Sequence, residues 1–334
     1  MFSSCTTDGF VLYLGKRSPI ELLWVKISWF QGMRYSISTN WNSYRHDSAE
    51  SMLEEILALG FDTVELGYAL PRSYAEIVID WQAKGNIKIS SLHAFCPFQN
   101  GATPTPELFS ICDLRDSKGA RQGISAAIET GEFAAAAGAK VVVMHAGRVP
   151  VARYVQKLSR LFSSGYMGTR RYERAMSKLM NKREKLAPRQ FDVLCESLDE
   201  ILPVYERLGV SLALENLPTY DGMPSEPELE RLFSLFPSLG YWHDIGHGQV
   251  RHNMGLIYHK GIVNRFASKI AGMHIHDVID GIVDHQMPPG GAVKFEIFKD
   301  VVKKNIPLVF EPSHSCDGQN IKNAVQFIEK IWNA

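Results

Sequence analysis

The sequence is poor in cysteine, and its five cysteines (Cys5, Cys96, Cys112, Cys195, Cys316) include no Cys-x-x-Cys pair. That excludes a disulfide framework and points to a reducing, cytoplasmic setting. No apolar run reaches the roughly 18–20 residues that a membrane span needs. Residues 10–30 come nearest, but Lys16, Arg17, Glu21 and Lys26 interrupt them, and no secretory-signal pattern is present. Net charge is also missing: 36 basic side chains balance 36 acidic ones. The chain as a whole therefore has no pull toward nucleic acid or an acidic membrane. Nor does a glycine-rich phosphate fingerprint follow the first strand pattern, where the chain reads Asn40-Trp41-Asn42-Ser43. A doubly wound dinucleotide-binding sheet is disfavoured.

What the chain has is alternation. Short runs rich in Val, Ile, Leu and aromatics fall at 35–39, 63–66, 87–93, 141–145, 211–215, 240–244, 270–276 and 307–311. They read as strands buried on both faces. Helical patterns lie between them, at 48–59, 73–83, 119–137, 189–208, 226–236, 263–269, 296–304 and 321–332. Asp47 is the expected N-cap of the first, and several helices stop at a glycine, as in Leu59-Gly60-Phe61 and Leu208-Gly209-Val210. Eight strand–helix units predict an α/β fold, a (β/α)8 barrel spanning residues 33–334 as one domain. Residues 1–32 fit no unit of this pattern. They read either as an appendage or as an extra helix packed under the barrel.

In such a barrel the C-terminal strand ends build the active site. Those positions hold His93, His145, Glu215, Asp244, His274 with His276, and Glu311, with His247, Asp284 and His285 just beyond. Each alone has an ordinary structural reading as a hydrogen-bonded residue or a loop cap. Together they do not. Buried carboxylates converging at a barrel mouth must be paired or coordinate a cation, because an isolated buried charge costs several kcal/mol, ~3–5 when its partner is removed. His243, one residue before Asp244, should face away from the interior and is given no role. Cys96 is expected to pack, and His314 and Cys316 are secondary candidates in the last loop.

The segments Ser91-Leu92-His93-Ala94, Val143-Met144-His145-Ala146-Gly147, Leu214-Glu215-Asn216, Asp244-Ile245-Gly246-His247, Met273-His274-Ile275-His276-Asp277, Asp284-His285-Gln286-Met287-Pro288-Pro289-Gly290 and Phe310-Glu311 resemble the motifs of the xylose-isomerase-like TIM-barrel superfamily. The resemblance runs from Met33 to the C-terminus. It implies one divalent ion (Mn, Mg, Co or Zn) held by Glu215, Asp244, His274 and Glu311. Glu215 and Glu311 would be the catalytic pair, moving a proton next to a carbonyl through an enediolate. His93, His145, His247, His276, Asp284 and His285 would contact the substrate. The implied activity is that of a sugar or sugar-phosphate isomerase or epimerase. Hydride-shift members carry a lysine two residues after the strand-five glutamate, where this chain has Leu217. The same resemblance offers two alternatives: a dehydratase or other lyase, and a zinc-dependent abasic-site endonuclease of the endonuclease IV type. The nuclease pattern wants Asp-x-His, whereas Asp284 and His285 are adjacent and Gln286 stands in the histidine position.

The longest stretch between two strands, residues 148–192, carries twelve basic residues against three acidic ones, a local charge of +9. Three uses compete for it: a helical lid or dimer arm with a solvated basic face, attraction of an anionic substrate, and a nucleic-acid contact. The loops after strands two and three offer few other basic residues, which favours a small-molecule partner, no membrane, and nucleic acid only as the weaker alternative. A homo-oligomer through the arm stays open.

Overall fold

All eight expected strands form, and they close on themselves. A computed structural model describes residues 35–98, 103–113, 117–302 and 305–333. Numbered along the chain, the ring strands are β1 (Tyr35–Ser38), β2 (Thr63–Leu66), β3 (Lys88–His93), β4 (Val141–Met144), β5 (Ser211–Glu215), β6 (Gly240–Asp244), β7 (Ile270–Ile275) and β8 (Leu308–Phe310). Each pairs in parallel with its sequence neighbours, and β1 pairs with β8 to complete the barrel. The fold is the (β/α)8 barrel that the alternation predicts. The expectation for residues 1–32 lies outside the described residues.

The helices are α1 (Ala49–Ala58), α2 (Ala75–Ala83), α3 (Ser117–Ala136), α4 (Ala152–Ser163), α5 (Arg170–Leu208), α6 (Glu226–Leu235), α7 (Ile245–Asn253), α8 (His259–Phe266), α9 (Lys299–Val302) and α10 (Gly318–Trp332). Several differ from expectation. The N-cap of α1 is Ser48, whose side chain accepts from the Ser51 N–H, not Asp47. The seventh-unit pattern at 296–304 is a 3₁₀ turn, Phe295–Phe298, followed by the short α9. The pattern at 263–269 begins earlier, at His259. The pattern at 189–208 is only the second half of the 39-residue α5. Pro188 and Pro203 lie inside α5, and Pro188 marks the false start, since a proline lacks the N–H that helix continuation uses. The basic segment after β4 is helical, made of α4 and the first half of α5.

The inward face of the ring is layered. Val141, Val143, Ala213, Trp242 and Val309 form one apolar cluster, with Trp242 fully buried. Gly272 makes room for it: a Cβ there would lie 2.0 Å from the indole. Two positions up each strand, the period-two alternation replaces apolar residues with Glu215, Asp244, His274 and Glu311. The Trp242 ring meets the His274 imidazole edge-on at 5.1 Å, so the apolar plug is the floor of the polar layer.

Every strand of the ring begins at Tyr35 or later. A chain shortened to begin at Met33 is expected to give a single cooperative thermal transition and barrel-like far-UV circular dichroism. An unfolded or insoluble product would show that residues 1–32 are part of the structural unit.

Candidate metal centre

The last turn of each strand delivers the polar layer to one point. The Nδ1 of His274 lies 3.2 Å from Glu311 Oε2, 3.3 Å from Glu215 Oε1 and 3.5 Å from Asp244 Oδ2. These are the four residues expected to hold the ion, from β5, β6, β7 and the end of β8. All are buried, none more than 6 % exposed. Sequence reading missed a fifth member, Glu65 on β2. Its carboxylate lies 3.1 Å from His274 Nε2 and accepts from the Ser91 hydroxyl at 2.8 Å. A carboxylate on Nε2–H leaves Nδ1 as the ligand nitrogen. The missed signal was a glutamate in the fully buried strand Thr63-Val64-Glu65-Leu66.

Glu215 faces two ways. Its Oε1 approaches His274 and His247, each at 3.3 Å. Its Oε2 approaches His145 Nε2 at 3.1 Å and His93 Nε2 at 3.3 Å. Three of the expected substrate-side histidines share one device. The Nδ1 atoms of His93, His247 and His285 face the carbonyls of Ala94 (2.9 Å), Asn216 (2.9 Å) and Glu311 (3.2 Å). An Nδ1–H donated to a carbonyl fixes the tautomer and leaves Nε2 for an ion or a substrate. His145 instead sets Nδ1 3.4 Å from Glu107, which Arg148 holds at 2.7 Å.

Two expected substrate contacts sit differently. His276 is fully buried with both nitrogens engaged: Nε2 is 2.9 Å from Asp244 Oδ2, and Nδ1 accepts from the His285 N–H at 2.9 Å. It orients a candidate ligand. Asp284 stays at the rim, 3.8 Å from His247 Nε2. His285, one residue early for the nuclease spacing, takes a left-handed backbone (φ +53°) and stacks on His276 at 4.2 Å. A non-glycine residue there costs of order 1 kcal/mol, and such strain gathers at functional sites.

Local sequence explains how Asp244 and His247 are held. Asp244 is the N-cap of α7, accepting the His247 N–H at 2.6 Å. Its backbone is clamped by the Asn216 side chain, which bonds both Asp244 N and O at 2.9 Å. Gly246 and Gly248 depress helix propensity, but both positions are contacted. A Cβ at Gly246 would lie 2.0 Å from the His276 ring, and one at Gly248 2.5 Å from His259. His243 faces away from the interior, as expected, and bonds Tyr241 and His259. Cys96 is buried packing, and His314 stacks on Tyr44.

The electrostatics follow from burial. Burial alone would raise the carboxylates, but the imidazoles outweigh it. Glu215 lies well below the usual range because of His145 and His274, Asp244 because of His247 and His276, and Glu311 lower because of His274 and His285. Burial likewise opposes the charge on His274, yet Glu311, Glu65 and Glu215 push it well above an ordinary imidazole. Glu215 and Glu107 bring His145 up to about 9 against its burial. Three carboxylates and an imidazole with concentrated negative charge suit a hard-to-borderline divalent cation, so the donor set fits. Further His-rich groupings surround it, including His93–His145–Glu215 and His247–His276–His285.

Comparison with known proteins agrees with this architecture. A D-tagatose 3-epimerase-like protein shares 20 % identity and superposes with a TM-score of 0.62, over 90 % of this chain and 98 % of the other. A D-psicose 3-epimerase of Clostridium cellulolyticum H10, solved with D-tagatose, gives 12 % identity and a TM-score of 0.63 over 90 % and 99 %. An IolI protein with a bound zinc atom gives 16 % and 0.61 over 90 % and 100 %. At these identities the likeness shows the fold. An uncharacterized protein of Methanocaldococcus jannaschii is 30 % identical over 115 residues, 33 % of this chain and 42 % of that protein, so the match spans less than half of its length. The family described as xylose isomerase-like TIM barrel matches residues 53–331. Spanning most of the ring and the whole polar layer, that match shows that the chain belongs to the xylose isomerase-like TIM-barrel family.

Proposed function

We propose that the protein is a divalent-metal-dependent sugar isomerase or epimerase that moves a proton at the carbon next to a carbonyl. The observation that carries this reading is the convergence of Glu215, Asp244 and Glu311 within 3.5 Å of His274 Nδ1. Those four residues would hold the ion, with Glu65 fixing the His274 ring and His276 the Asp244 carboxylate. A bound divalent cation would polarise the carbonyl and the neighbouring hydroxyl and so acidify the C–H between them. The proton itself is the work of the chain. Glu215 comes from β5 and Glu311 from the end of β8, with β6 and β7 between them in the ring. Two carboxylates brought to one centre from separate strands would reach a sugar carbon from different sides, one removing the proton and the other returning it. Neighbouring imidazoles keep both ionised, at the cost of basicity. The Nε2 atoms of His247 and His285 would orient the hydroxyl groups, while His93 Nε2 lies 3.3 Å from Glu215. A lyase reading shares the proton abstraction and differs in losing a hydroxyl afterwards. The family fold and its epimerase neighbours support the broader class.

A second reading, the abasic-site endonuclease, is favoured by one observation: His93 and His145 gather on the second oxygen of Glu215. Against it stand the rim position of Asp284 and the balanced charge of the chain.

Three outcomes are expected. Because His274 is held protonated by its carboxylates, uptake of Mn²⁺ or Co²⁺ at pH 7 should displace a proton. Calorimetry in buffers of different ionisation enthalpy reads this directly, and Glu65→Gln should weaken metal affinity about 10–100-fold, the usual cost of losing such an outer partner. Metal uptake with no proton release and no effect of Glu65→Gln would remove this donor arrangement. Second, turnover of keto-sugars in D₂O should place deuterium at the carbon next to the carbonyl, and Glu311→Gln should lower turnover about 10²–10⁴-fold. Solvent-independent transfer, or an undiminished variant, would exclude the two-glutamate mechanism. Third, duplex DNA carrying an abasic site should remain intact. Metal-dependent nicking lost in His145→Ala would reverse the ranking of the two readings.

A further inference from the structure

Beside the polar layer lies a cavity of about 410 Å³, the size of ligand pockets in general. His285 stands at the boundary. Its Nδ1 faces the Glu311 carbonyl, while its side chain also lines the cavity. His285 is therefore shared by the cavity and the polar layer, its Nδ1 3.8 Å from Glu311 Oε2. The chemistry of the lining is specific. Gln286, Ser313, Ser315, Asn320 and Asn323 bring amides and hydroxyls, and Met287 with the Pro288-Pro289 pair supplies an apolar wall. No lysine, arginine or carboxylate is among the lining residues.

The first two turns of α10 line this cavity through Asn320 and Asn323, and a helix start often binds phosphate. Here that role is already filled. The Asp317 carboxylate accepts the Asn320 N–H at 2.8 Å and the Asn320 side-chain amide at 3.1 Å. A carboxylate at the cap repels a second anion. The inward-turned arginines of the basic segment are also committed. Arg148 is held by Glu107 and Asp221, and Arg183 by Glu228. Amides and hydroxyls facing an apolar wall match a pyranose, which presents hydroxyls at its edge and C–H bonds on its faces.

We propose that this cavity is a subsite for an uncharged sugar unit attached to the reacting sugar, so that the substrate class is a glycoside or oligosaccharide rather than a sugar phosphate. The proposal rests on the isomerase or epimerase reading and specifies its substrate.

The test uses the full chain loaded with Mn²⁺. Calorimetric titration compares D-fructose, fructose 6-phosphate, and two disaccharides in which fructose carries a neutral sugar, lactulose and isomaltulose. At least one disaccharide is expected to bind about tenfold more tightly than fructose, and the phosphate no more tightly than fructose. Asn323→Leu and, separately, Ser315→Leu should each erase most of that tenfold preference, with folding checked by thermal melting. Tighter binding of the phosphate, absence of any disaccharide preference, or a preference that survives both variants would overturn the subsite. Deuterium exchange in D₂O separates the two levels. A preferred disaccharide that never exchanges keeps the subsite and sinks the epimerase reading, while exchange of fructose without disaccharide preference does the reverse.

Discussion

Burial of four carboxylates in one layer is the constraint on which the rest of this barrel depends. Glu65, Glu215, Asp244 and Glu311 are 0–6 % exposed, and each has an imidazole nitrogen within 3.3 Å. Taking a carboxylate out of water costs several kcal/mol even after relaxation, ~20 in the idealised limit. The chain therefore has to supply compensating positive charge or receive it as a cation. Imidazole is suited to both conditions. Protonated, it balances the carboxylates; deprotonated, it becomes a ligand beside them. His274, between Glu65 on one nitrogen and three carboxylates on the other, is where that exchange centres.

The same strands hold a second histidine layer of opposite character. His243 and Asp244 are neighbours on β6, so the pleat sends them to opposite sides of the sheet. Behind the sheet, His243 bonds the Tyr241 hydroxyl at 2.9 Å and His259 at 3.0 Å. Burial there pushes His243 down to about 4, and His259 well below the ordinary range. In the mouth, His145 is just as buried but is pushed up to about 9 by Glu215 and Glu107. Burial alone does not decide the charge of an imidazole; the nearest carboxylate does. The neutral layer braces the charged one. Tyr241 donates to Asn216, and Asn216 clamps the backbone of Asp244.

How much of this was legible in the sequence follows from which side chains face where. Parallel strands buried on both faces read as apolar runs, so all eight were visible, and a charged residue at the end of such a run stood out. Glu65 has no such cue, because it sits one residue before the end of β2 and points inward all the same. Helix α7 escaped because Gly246 and Gly248 look like a turn. Their reason is tertiary, since imidazoles occupy the space that their side chains would need. His276 read as a substrate contact because adjacency in sequence does not reveal that both its nitrogens are bonded. His285 was readable as a site residue but not its route there, since a left-handed backbone at a histidine has no local sequence cue.

The basic segment shows how a conspicuous charge pattern can be the solvent side of a packing argument. Along α5 the buried positions Tyr172, Ala175, Leu179, Arg183 and Ala187 recur every three or four residues, one stripe of an amphipathic helix. Tyr172 donates to the Met254 carbonyl at the end of α7. Phe162 of α4 packs where a side chain at Gly281 would otherwise lie. Gly281 is in the turn joining Asp277–Ile279 to Val283–Gln286, the hairpin that carries His285. Through these contacts α4 and α5 bear on α7 and on that hairpin, two elements that position His247 and His285. Lysines and arginines fill the opposite faces because long, exposed helices need soluble ones. The arginines that do turn inward, Arg148 and Arg183, are consumed by Glu107, Asp221 and Glu228. A surplus of nine positive charges therefore sits in the unit after β4 with its two inward arginines already paired, and the same helices brace the elements that carry His247 and His285.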